Sequence, residues 1–346
     1  MNKDRKRAFI NLLRGLAIFL MLWGHIVQYA CAKQFDFFEN SVFKFIYSFH
    51  MPFFMIISGY LFFFSEQKRE LVELIEYKSK SLLYPILMCS VFNFLLSTGI
   101  VSVLKGEYGA LLGGIRITSL WFLWSVLSCS IALALAMKLS KNHLVQALLL
   151  IIGILFVALF PTWYLNVYMY PYYVIGYLYA RNEELFGKVK NVGGIVSTIA
   201  FVIMYFFYEK KHYIYTSGML GGDSIAEGIY IDLFRWAIGL FGSIAVTWIC
   251  YLVYSKIKKG KITSAIEILG QNSLAVYALS TSLLSFWLPQ FARIALNILT
   301  WLDWNDHVWL YNLVVTPLLT VIYSVLFLLI IKGLKKCNAY RLIFGR

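Results

Sequence analysis

Arg14-Gly15-Leu16-Ala17-Ile18-Phe19-Leu20-Met21-Leu22-Trp23-Gly24-His25 is an apolar run with a guanidinium at one end and an imidazole at the other. On an α-helix eleven residues make three turns and about 20°, so Arg14 and His25 share a face, roughly 16 Å apart along the axis. That separation is about half the hydrocarbon thickness of a bilayer. A cation and a titratable ring inside one apolar span are costly unless they face protein or water, which makes them candidates for a functional site. Basic Lys3, Arg5, Lys6 and Arg7 precede the run. It continues well past the length of a secretory leader and shows no small-residue cleavage site, so it reads as a retained span.

The rest of the chain agrees with that reading. Of 346 residues, 60% are hydrophobic and 14% charged, against about 25% charged in soluble domains. The expected fold is an all-α integral membrane protein with about ten transmembrane helices and both termini cytoplasmic. Hydropathy sets the spans near 8–30, 43–64, 82–104, 119–138, 144–160, 163–180, 191–208, 229–254, 265–288 and 311–332. One membrane domain over residues 1–346, with no fused extra-membrane domain, is the expected organisation.

The formal charge of +14 follows from topology. About 22 of the 31 Lys and Arg fall in the two tails and in alternate loops, which identifies those as the cytoplasmic side. Nucleic-acid binding is not needed to explain the charge. Cys31, Cys89, Cys129, Cys250 and Cys337 are scattered without metal-ligand spacing, so packing is expected of them and no metal site. Carboxylates are nearly absent from the spans; Asp232 and Glu267 lie near span ends. Asp232 is three residues before Arg235, a natural ion-pair spacing on a helix. Proton- and cation-coupled carriers rely on intramembrane acids, so their scarcity weighs against a transporter. The outer segment near 209–228 is glycine-rich around Gly218, Gly221 and Gly222 and reads as a flexible loop. The segment 289–310 carries Trp301, Trp304 and Trp309, an interfacial belt or a platform for sugar rings.

Two further groups join the first pair. His50 lies in Ser48-Phe49-His50-Met51-Pro52, about seven residues into the antiparallel second span, at a depth similar to that of His25. Pro52 removes a backbone donor beside it, which can open a polar pocket. Lys78 and Lys80 approach the cytoplasmic face at the third span, in Lys78-Ser79-Lys80-Ser81-Leu82-Leu83-Tyr84-Pro85. Alone they are an ordinary positive-inside flank; with Arg14 they make a site for phosphates. Arg14 itself has two readings, snorkelling to headgroups and anchoring an anionic group that enters from the cytoplasm.

Together these stretches resemble the acyltransferase family 3 membrane proteins. The spacing of Arg14 and His25 matches that family's signature of an arginine and a histidine separated by ten intervening residues. Phe49-His50-Met51-Pro52-Phe53-Phe54, Ile57-Ser58-Gly59-Tyr60-Leu61, Leu120-Trp121-Phe122-Leu123 and Leu269-Gly270-Gln271-Asn272-Ser273-Leu274-Ala275-Val276-Tyr277 follow in the family's order. The chain looks most like the fucose 4-O-acetylase-like branch. It departs from many members in having Lys78 and Lys80 where they carry an arginine-rich pair, and Ser280 where they carry a histidine.

The resemblance implies transfer of an acyl group, usually acetyl, from cytoplasmic acyl-CoA to a hydroxyl of a cell-envelope or secreted glycan. It implies a multi-pass protein of the bacterial cytoplasmic membrane whose partners are acyl-CoA, a carbohydrate acceptor and the lipid bilayer. Acetyl-CoA is the expected co-substrate, without a metal. His25 is the expected general base or acyl-handling residue, with Arg14 at the catalytic site and, with Lys78 and Lys80, around the phosphates of coenzyme A. Asn272 and Ser273 either bind CoA or cap a helix. His50, Ser58 and Trp121 belong to the acceptor or acyl pocket; His50 orients His25, holds the acceptor or polarises the thioester, and Trp121 reads equally as helix packing. The alternative function is a transporter of a glycan or lipid-linked sugar without acyl transfer.

Overall fold

The structure, a computed structural model, describes residues 2–31, 33–95, 120–257, 260–299 and 303–345. Throughout those residues the regular structure is helical. Six described helices are long and apolar enough to cross a membrane: Lys3–Ala30, Ser41–Glu66, Trp121–Lys138, Glu183–Phe206, Ile225–Lys256 and Val308–Lys336. The bent pair Ser273–Ser285 and Leu288–Ile298 makes a seventh if counted as one span. Three of the ten expected windows fall on helices that miss this test for physical reasons. Leu71–Phe94 opens with Glu73, Glu76, Lys78 and Lys80, His143–Val157 has only 15 residues, and Trp163–Arg181 is interrupted by polar tyrosine hydroxyls. Part of the expected span 82–104, and Trp301, lie outside the described residues.

The chain opens with α1 (Lys3–Ala30), whose first turn is capped by Asn2: its side chain accepts the Arg5 N–H at 2.9 Å. Its inner face buries Ala17, Ile18, Met21, Leu22 and Ile26 and forms the centre of the molecule. The second span is broken into α2 (Ser41–Tyr47) and α3 (His50–Glu66). The break precedes His50, and Pro52 sits in the first turn of α3, where a missing N–H is tolerated. Then come α4 (Leu71–Phe94), α5 (Trp121–Lys138), α6 (His143–Val157), α7 (Trp163–Arg181) and α8 (Glu183–Phe206). After α9 (Ile225–Lys256), the span expected over 265–288 is divided into α10 (Lys261–Gln271) and α11 (Ser273–Ser282). The chain continues through α12 (Leu288–Ile298) and α13 (Thr316–Lys336) to a short α14 (Ala339–Phe344).

Two helix pairs approach closely enough to require glycine. A Cβ on Gly15 of α1 would strike the Ile266 carbonyl of α10, and one on Gly270 would strike the Asn11 carbonyl of α1. The same reciprocity joins α3 and α7, where Gly59 faces the Tyr173 carbonyl and Gly176 faces that of Ile56. With no hydrophobic force to drive helices together in lipid, close backbone packing of small residues supplies the attraction. By contrast α8 buries only Gly194, Ser197 and Phe201 and turns its remaining apolar surface outward, as a lipid-facing helix does.

Asp232 and Arg235 form the expected ion pair at 3.2 Å. Arg235 is 1% exposed, and also donates to the Gly218 carbonyl at 2.7 Å and to Ser217 Oγ at 2.6 Å. The segment that reads as a flexible loop is thereby fastened to α9. At its other end Lys210 pairs with Asp36 at 2.5 Å, and holds that carboxyl below the usual carboxylate range. All five cysteines are unbridged. Trp304 is buried against Tyr311, with ring centroids 5.1 Å apart, while Trp309 is 63% exposed.

Candidate active site between two cavities

The Gly15–Gly270 approach brings the start of α11 beside α1, and Arg14 Nη2 donates to Ser273 Oγ at 2.8 Å. Both residues line a cavity of about 210 Å³, together with Lys78 of α4 and Ser58 of α3. Among the described residues, two cations and no carboxylate enter this wall, which makes its described part electropositive. Lys78 Nζ lies 5.1 Å from the centre of the Phe62 ring, a cation–π contact that keeps the ammonium on the cavity side of α4. Ser58 Oγ donates to the Phe54 carbonyl at 2.8 Å. The far wall is aromatic: Phe54, Phe122 and Tyr277, with the Phe122 N–H donating to Tyr277 Oη at 3.3 Å.

Two expected members of this group are elsewhere. Lys80 is about 200° around the helix from Lys78; its side chain is 77% exposed and pairs with Glu76 one turn back. Asn272 donates to the Ile268 carbonyl at 2.8 Å and accepts from Lys335 at 2.9 Å, so it ties off the end of α10 and anchors α13. Trp121 is outside this cavity's lining too; it stands at the start of α5, its ring 6.0 Å from Phe122 and 6.0 Å from Tyr215.

Because α1 is unbroken, His25 sits on the Arg14 face three turns further out, as the spacing predicts. Its ring is packed against protein, stacked on Tyr29 with centroids 5.8 Å apart, and Tyr47 Oη lies 3.2 Å from His25 Nδ1. The Tyr47 ring in turn stands 4.6 Å from that of His50. Tyr47 thus contacts both histidine rings, at 6.4 Å from that of His25 and 4.6 Å from that of His50. His25 is in the wall of neither cavity described here.

His50 and Tyr47 line a second chamber of about 20 Å³, called outer because the charge pattern is expected to place this end of α1 outside. Its roof is the segment fastened by Arg235: Tyr208, His212, Tyr213 and Tyr215. Burial, then Lys211, pushes the His212 imidazole down to about 4, so this ring is neutral at physiological pH. Tyr215 is 45% exposed, and its ring lies 6.5 Å from Tyr47 and 6.0 Å from Trp121. Tyr47, His212 and Tyr215 were not legible as site residues. The one hint is that tyrosines 208, 213 and 215 crowd a segment that also holds a histidine.

The architecture is that of a multi-pass helical membrane protein with a basic cavity at one depth and a histidine–tyrosine cluster at another. The acyltransferase domain of acyltransferase family 3 matches residues 7–332, and the chain belongs to that family. Among curated proteins it is similar to nodulation protein NolL of Mesorhizobium japonicum, 26% identical over 219 residues, covering 61% of this chain and 58% of the relative. Nodulation protein NolL of Sinorhizobium fredii is 29% identical over 184 residues, 50% of this chain and 49% of that protein. The chain thus spans about half to three-fifths of the curated relatives it matches. No solved structure matches it.

Proposed function

We propose that this protein is an acyl-CoA-dependent O-acyltransferase of the bacterial cytoplasmic membrane, with ten spans and both termini in the cytoplasm. It moves an acyl group, acetyl by preference, from cytoplasmic acyl-CoA to a hydroxyl of a cell-envelope or secreted glycan. The observation that carries the reading is the pairing, on one face of α1, of Arg14 in a two-cation cavity with His25 in a cluster of polar rings. Arg14 and Lys78 hold the phosphates of coenzyme A, the arginine through its fork and the lysine as a point charge. Ser273 orients the guanidinium. The pantetheine arm runs outward past Ser58 toward the aromatic wall.

At His25 the acceptor hydroxyl attacks the thioester carbonyl. With Nδ1–H donating to Tyr47 Oη, Nε2 is the free base that takes the hydroxyl proton; the oxygen–acyl bond forms, the carbon–sulfur bond breaks, and the proton passes to the departing CoA thiolate. Base catalysis of this kind is worth about 10²–10⁴-fold. The proposal gives no role to Lys80, which pairs with Glu76, or to Asn272, which accepts from Lys335. The carrier alternative has no job for a guanidinium and an imidazole three turns apart on one helix. His25→Ala is expected to abolish transfer from labelled acetyl-CoA to envelope glycan while the protein still accumulates in the membrane. Wild-type transfer by that variant would reject the mechanism.

A further inference from the structure

The outer chamber joins two imidazoles in complementary hydrogen-bonding states. His50, 2% exposed, donates Nδ1–H to the Ile46 carbonyl at 2.9 Å, so its neutral ring presents a bare Nε2. His212, 3% exposed, is the reverse: the Glu209 backbone N–H donates to its Nδ1 at 2.9 Å, which leaves the ring proton on Nε2. That Nε2–H is buried without a hydrogen-bond partner among the described residues. Such orphaned donors are costly and uncommon in folded chains, and each calls for a missing partner.

The chamber between them, about 20 Å³, is the size of one water-sized polar group. Among the described residues its wall contains no charged side chain, and tyrosine rings supply most of the rest. A hydroxyl, which donates and accepts, answers both histidines. A carboxylate has no proton for the lone pair of His50, and an ammonium has no lone pair for the proton of His212.

We propose that this chamber is the subsite for one hydroxyl of a neutral carbohydrate, with His50 Nε2 accepting its proton in a hydrogen bond and His212 Nε2–H donating to its oxygen. This deepens the acyltransferase reading and rests on it for the identity of the acceptor. A hydroxyl seated here is one side chain, Tyr47, away from His25. The roof carrying His212 owes its position to Arg235, which gives that fully buried arginine a purpose in recognition.

The test uses the full-length protein in lipid nanodiscs and, as probe, unacylated envelope glycan prepared from host cells lacking the protein. Glycan binding is measured without acyl-CoA, and transfer is then measured with labelled acetyl-CoA. His212→Phe, which removes the donor, should weaken glycan binding about tenfold and raise the glycan concentration for half-maximal transfer by a similar factor. The acetyl-CoA dependence should stay within twofold. His212→Gln, which keeps an N–H, should remain within threefold of wild type in glycan binding. Equal impairment of both variants, or binding by His212→Phe at the wild-type level, overturns the subsite. A wild-type protein that binds glycan but transfers nothing overturns the acyltransferase reading and leaves the subsite standing; one that binds no glycan overturns the subsite. The wild-type ring-nitrogen NMR spectrum gives a reading independent of variant folding. Saturating glycan should shift both His50 Nε2 and His212 Nε2, and unchanged signals would mean that the chamber holds water only.

Discussion

At the scale of single residues, charge alone does not decide a role; the direction in which a side chain leaves its helix does. Lys78 and Lys80 are equivalent in sequence, both on a positive-inside flank, yet one lines the basic cavity and the other pairs with Glu76 in the open. Arg14→Ala should therefore raise the acetyl-CoA concentration for half-maximal rate about tenfold or more, since a charge-assisted bond to phosphate is among the stronger polar contacts. Lys80→Ala should leave it within twofold, because exposed pairs contribute little. Initial rates against acetyl-CoA concentration check both, and a large effect at Lys80 would move the donor site. Arg14 and His25 were legible because a helical repeat fixes their common face whatever the tertiary structure. Tyr47 and His212 were not, because each acquires its partner from a distant element: His25 is 22 residues from Tyr47, and His50 reaches His212 only through the folded chamber.

At the scale of elements, the site is set by how closely helices meet. The Gly59–Gly176 approach of α3 and α7 has no room for a methyl group, since the obstacle is backbone. Gly59→Ala should cost about 1–3 kcal/mol, the range for overpacking. Gly187 of α8 has nothing near its missing Cβ. Gly187→Ala should be neutral or stabilise by up to about 1 kcal/mol, through helix propensity alone. Unfolding of the two variants in mixed micelles distinguishes these outcomes, and equal effects would mean that the α3–α7 packing is wrong. The positions of most helices were legible from hydropathy. The interruptions at Ser48–Phe49 and Gln271–Asn272 were not, because a few polar residues also occur inside unbroken spans and do not by themselves mark a break. The Gly-rich outer segment was misleading for a related reason: composition reports local freedom, and the distant Arg235 removes it.

At the scale of the whole molecule, helical class and membrane residence followed from composition, because few sequences with 14% charge can face water on all sides. The number of crossings is harder to read. Tyrosines in α7 and charges in α4 lower hydropathy on helices that line the two cavities. The proposed orientation has a direct check in Cys337, an exposed thiol near the end of α13. In a variant that keeps only this cysteine, a membrane-impermeant maleimide should label inverted vesicles and spare intact cells. Labelling of intact cells would place the C-terminus outside and reverse the topology.

The aromatic wall that ends the basic cavity, with Trp121 touching Phe122 on one side and Tyr215 on the other, has a physiological consequence. A catalyst that serves two compartments runs the risk of becoming a leak. Under the proposed function the donor and the acceptor would enter by separate cavities, with the rings of Phe122, Trp121 and Tyr215 in edge contact between them. On that reading, acyl transfer would proceed without opening a path for ions, and the membrane's electrochemical gradients would survive turnover.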